Sequence, residues 1–176
     1  MNSRPDIVRS ITQRWLLDYW NRLRGAATVP AWPGLRASEL AALADNLGFS
    51  DVTDSNATPR LFVRFQGSNL REALGVPGVG RYLDEILPAP YGEVVLATCY
   101  QVIATKLPVY TIADMRDRDG RIVHVERLLL PFGHHGAEIG RILVSLETVS
   151  PEGAFDNRDL RKPNLPTFAL CTTIQH

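Results

Sequence analysis

Adjacent histidines, His134 and His135, sit between glycines in PFGHHGAE, and an imidazole pair invites a search for metal or acid–base chemistry. Neighbours on an extended chain point to opposite sides, so two of them rarely serve one ion unless a turn converges them. Glu138 is the only further ligand type nearby, which favours a polar surface turn. His124 and Glu126, two apart in HVERLLLPF, share one strand face; that pairing could tune a proton or hold a polar ligand, and it also fits an exposed strand edge. Arg127 falls on the other face with Val125 and Leu129. An arginine amid apolar neighbours either snorkels to water or bonds a carboxylate or a ligand, and Arg64, between Val63 and Phe65, poses the same alternatives. VPGVGRY is an incomplete GxGxxG with no GK[ST] after it, no GxSxG is present, and no general-acid pair is visible, so catalysis is not indicated.

These residues are carried on a chain of ordinary globular composition, 45% hydrophobic and 22% charged. Nineteen basic residues balance nineteen acidic ones, which gives no pull toward nucleic acid or an anionic membrane. No segment has the length of a signal-peptide core or a bilayer span, so the cytoplasm is the expected compartment. The two cysteines, Cys99 and Cys171, form no CxxC and suit a reducing environment.

Hydrophobic spacing supplies the elements. DIVRSITQRWLLDYWNRLRG (6–25) predicts a helix with a large aromatic face, Asp6 as its N-cap and Gly25 as its stop; a shorter helix is expected over 37–46. GFSDVTDS and RLFVRFQGS read as strands, NLREALG as a helix, and residues 92–109 as an amphipathic helix ending near Pro108. Three strands follow at 110–117, 121–132 and 138–149, joined by RDG and GHHGA turns. The tail from 151, rich in proline and polar residues, is expected to be mostly irregular. Two strands, helices, then a three-strand meander predict an α+β fold: a five-stranded antiparallel sheet with helices on one face and an N-terminal helix. Since VERLLLPF and RILVSLETV carry apolar residues on both alternating sets, both sheet faces are expected to be covered. The expected division is an N-terminal helix and connector (1–34), a central domain (35–150) and a C-terminal tail (151–176).

RLFVRFQGSNLREALG, the helix ending in ATKLPVY, and VERLLLPF followed by GRILVSLETV together resemble the PAS-domain proteins of a stand-alone proteobacterial type. The resemblance covers roughly 35–150 and implies a sensory or interaction module whose sheet curls around a cavity. It places Tyr82, Tyr100 and Tyr110 on elements that would wall that cavity, where a polar-tipped aromatic suits a partly polar ligand or an ordinary core. Arg64, Tyr82, Tyr100, Tyr110 and Arg127 are thus the candidate ligand-binding residues. Haem-binding relatives need an axial histidine on the crossing helix, and 92–109 has none; flavin photosensors use a cysteine in a run like NCRFLQ, and Cys99 lies in ATCYQV. Both cofactors are disfavoured, and the cofactor, if any, is left open.

The expected function is a stand-alone PAS module without its own output domain, binding a small molecule, a signalling partner or both, and forming a homodimer through the N-terminal helix. Two alternatives remain: a pocket enzyme of the ketosteroid-isomerase type recruiting Asp114 and Tyr100, and a scaffold with a filled core and no ligand. A buried carboxylate inside the cavity would favour the enzyme.

Overall fold

In a computed structural model, the structure describes residues 7–55, 58–87, 89–133, 138–158, 160 and 166–175. His134 and His135 lie outside the described residues.

Six antiparallel strands form one sheet: β1 (Leu47–Ser55), β2 (Thr58–Gln66), β3 (Val109–Arg116), β4 (Ile122–Gly133), β5 (Ile139–Val149) and β6 (Thr167–Thr173), in the order β2-β1-β5-β4-β3-β6. The α+β class with its N-terminal helix and the meander β3–β4–β5 agree with the expectation. The sixth strand is one more than the five expected, and it lies within the tail. TFALCTT pairs with β3 from Asp114↔Thr167 to Val109↔Thr173, giving the backbone groups along that edge a partner.

Helix α1 (Ile11–Arg24) starts later than expected. Its N-cap is Ser10, whose hydroxyl accepts from Gln13 N–H at 3.3 Å, and not Asp6, which lies outside the described residues. Gly25, at φ 54°, ends it, and Arg22 and Arg24 in the last turn meet the negative end of the helix dipole. The chain from 37 to 46 divides into a short helix α2 (Ala37–Leu40) and a 3₁₀ segment, Ala41–Asn46. Between the strands lie α3 (Ser68–Leu74), α4 (Leu83–Ile86) and α5 (Tyr91–Thr105).

Two layers cover the sheet. Leu16, Leu17 and Trp20 of α1 pack with Tyr110, Leu128, Leu130 and Phe132 on the outer face. Trp20 Nε1 donates to the Pro131 carbonyl at 2.7 Å, and Gln13 Nε2 donates to the carbonyls of Glu126 and Ser145, each at 3.2 Å. Helices α3 to α5 cover the inner face, with Leu70 and Ala73 against Met115, Val125 and Leu146, and Ile86 and Leu87 against Val63.

The GSNL turn positions this inner layer. A Cβ on Gly67 would lie 2.1 Å from the Ala44 carbonyl oxygen, so only glycine allows the chain to cross the 3₁₀ segment there. Gly67 N–H then donates to the Leu47 carbonyl at 2.8 Å, and Ser68 Oγ donates to Asp45 Oδ1 at 2.7 Å.

Candidate ligand cavity

Inner-face residues are set by strand register. In the β3–β4 pair, Val109 opposes Leu129, Thr111 opposes Arg127 and Ala113 opposes Val125. Opposed residues share a face, so Arg127, Val125 and Leu129 point together toward the inner layer. On β5 the matching row is Ile142, Val144 and Leu146.

Between these residues and the helices lies a cavity of about 100 Å³. Its walls are mostly aliphatic: Leu61 and Val63 from β2, Leu70 and Ala73 from α3, Ile86 from α4 and Val95 from α5. Polar atoms come from Ser50, Gln66, Tyr91, Cys99 and Arg127. Gln66 is held by its own loop, donating to the Val76 carbonyl at 3.2 Å and accepting from Gly78 N–H at 2.7 Å. Burial pushes the Cys99 thiol up to about 11, so it stays protonated and unreactive at neutral pH.

Of the five candidate ligand residues, Arg127 alone lines this cavity. Arg64 is half-exposed and pairs with Asp51 Oδ2 at 2.5 Å. Tyr82 stands edge-on to Phe62, their centroids 5.1 Å apart, with the Arg60 guanidinium 3.7 Å over its ring. Tyr100 is on the exposed side of α5, at 37% exposure. Tyr110 is fully buried on the opposite sheet face, where its hydroxyl donates to Glu126 Oε2 at 2.7 Å and accepts from Arg9 N–H at 3.2 Å.

Tyr91, at the start of α5, is a cavity tyrosine outside the sequence candidates, because hydrophobic spacing places the helix start one residue later, at 92. Antiparallel pairing across the RDG turn held the signal that separates the other two. If Tyr110 opposes Leu128, then Arg127 opposes Thr111, and Tyr110 and Arg127 cannot share a face.

His124 and Glu126 do share the outer face but do not pair with each other. His124 Nδ1 contacts Asp114 Oδ1 at 2.6 Å, while Glu126 takes the Tyr110 hydroxyl. Asp114 and Tyr100, the residues an isomerase would recruit, are thus not brought together, and no carboxylate lines the cavity among the described residues. A raised carboxyl does occur on the other face. Burial lifts Glu147 above the usual range, against a lowering hydrogen bond from Asn46, and Glu126 directly across the ladder adds to the rise. The described residues contain no cluster of three or more metal-ligating side chains. No helix among them is long and apolar enough to cross a membrane.

A six-stranded antiparallel sheet backed by a helix-walled cavity on one face, with a helix across the other, matches a known architecture. The model of the PAS domain family matches residues 8–146, and the chain belongs to that family. The match begins at Val8, so it takes in α1, and it stops within β5, short of β6. No curated protein matches the chain. PAS domains are in general sensory and interaction modules without enzymatic activity of their own.

Proposed function

We propose that this protein is a sensory module that holds a small, mainly apolar molecule between the inner sheet face and helices α3 to α5, and passes the state of that cavity to a partner through α1. The observation that carries this reading is the aliphatic cavity of about 100 Å³ on the inner face of a sheet whose other face is covered by α1. For scale, a dry engineered cavity of roughly 150 Å³ takes up benzene, so a body of several carbon atoms fits such a space. Strands β4 and β5 form both the inner wall and the floor under α1, so a ligand that shifts Leu129 or Val144 also shifts the surface on which α1 rests.

Homodimerisation through α1 belongs to this reading. Ile11 and Trp15, one turn apart, remain 78% and 40% exposed beside the stacked Tyr19, an apolar stripe available to a second copy or a signalling partner.

Native mass spectrometry of the purified protein, followed by denaturing extraction, tests the cavity reading. One bound small molecule per chain is expected. Protein that is empty and that no panel of small apolar compounds stabilises against heat would overturn it. Light scattering tests the dimer: a particle of the 19.6 kDa chain mass at tens of micromolar removes it.

A further inference from the structure

Three other arginines on this sheet sit on carboxylates, and Arg116, exposed at the end of β3, donates to the Gly120 carbonyl at 2.7 Å. Arg60 sits on Asp84 and Glu85, and Arg64 and Arg141 share Asp51. Arg127 differs. Among the described residues its hydrogen bonding is Nε–H to Thr111 Oγ1 at 3.2 Å, and no carboxylate lies within ion-pair distance. Its guanidinium carbon is 5.8 Å from the Phe168 ring centroid. It is partly buried and is the one charged side chain among the described residues that line this mostly aliphatic cavity.

A planar cation with unused terminal N–H groups is made for a two-oxygen anion, since a carboxylate accepts both forks at once. The same group gives little to an uncharged apolar molecule, and placing it on a cavity wall costs desolvation that a ligand's charge would offset. We infer that the cavity's ligand is a small amphipathic monocarboxylate, its carboxylate seated on Arg127 and its hydrocarbon body lying among Val125, Leu129, Val144 and Leu70. This rests on the cavity being a ligand site. Thr111 is positioned to hold the arginine: it opposes Arg127 across one ladder and Cys171 across the other, and its hydroxyl accepts from Nε. The terminal nitrogens are left to the ligand.

Hexanoate and hexanamide, alike in size and differing in charge, test the inference by calorimetric titration of the full chain. Wild type is expected to bind hexanoate at least about tenfold more tightly than hexanamide. In Arg127→Met that preference should collapse, with hexanamide binding retained. Hexanoate should also move the Arg127 Nε–H resonance of the wild-type protein, which decides the matter even where the variant folds poorly. Equal binding of the two probes leaves the cavity reading standing and overturns the carboxylate anchor. A hexanoate preference that survives in Arg127→Met, or that leaves the Nε–H resonance unmoved, overturns it too. Failure of both probes to bind wild type overturns the anchor and the cavity reading together.

Discussion

Glu147 and Asp117 carry shifts of opposite sign, and each predicts its own response to pH. The folded state raises the Glu147 pKa, by burial first and then by Glu126, against the hydrogen bond from Asn46. Arg9 and Ser10 on the approach to α1, with Thr148 and Val149 of β5, line the same surface hollow. A raised carboxyl stabilises the fold fully below its unfolded value, and that contribution is lost as pH rises through the folded value. Glu147→Gln should therefore raise the melting temperature at pH 7.5 and leave it nearly unchanged near pH 4, as read by circular dichroism. For Asp117, burial pushes the carboxyl up, but the backbone N–H groups of Arg121, Asp156 and Asp119 more than offset it and lower the pKa. Its contribution is present above the unfolded value and lost as pH falls through the usual aspartate range and below. Asp117→Asn should lower the melting temperature at neutral pH, with the gap to wild type closing in acid; a constant gap down to pH 3 would refute the assignment. At Gly67 the contact is steric. Alanine must displace the Ala44 carbonyl, and Gly67→Ala should cost about 1–3 kcal/mol in denaturant unfolding.

Among the elements, α1 is attached by two side chains that reach sheet carbonyls, Gln13 and Trp20. Trp20→Phe keeps most of the apolar contact and leaves the buried Pro131 carbonyl without its donor, a loss of about 1–3 kcal/mol. Hydrogen exchange should rise in α1 first and leave β3 protected; uniform loosening would argue against α1 as a separately docked element. The elements legible in the sequence are those with a strong period and sharp punctuation: α5, the three meander strands, and the helix opened by GSNL. Strand β6 was not legible, because PEGAFDNRDLRKPNLP sets the tail's composition and masks the seven-residue run TFALCTT that follows. Such a run is a strand only where an edge waits for it, and β3 supplies that edge from 50 residues or more upstream. The onset of α1 was misplaced for a related reason. Asp6 and Ser10 are both good caps, and the selection of Ser10 depends on where the sheet holds Gln13 and Tyr110.

For the whole molecule, both sheet faces are covered from within one chain, as the two-sided apolar pattern of β4 and β5 foretold. The site was less readable than the fold. Alternation along a strand sorts side chains into two sets without saying which set faces the cavity, so Arg127 was found alongside Tyr110, which lies under α1 instead. Helix α1 spans that other face, and its anchoring bonds join residues 113 and 132 positions apart. During synthesis at roughly 5–20 residues per second, α1 is therefore made many seconds before the carbonyls that receive Gln13 and Trp20 exist. Through that interval a helix carrying Leu16, Leu17, Tyr19 and Trp20 has no sheet to lie on. Gln13 can reach the carbonyls of Glu126 and Ser145 only after β5 has been made, so the docking of α1 waits on strands far downstream of it.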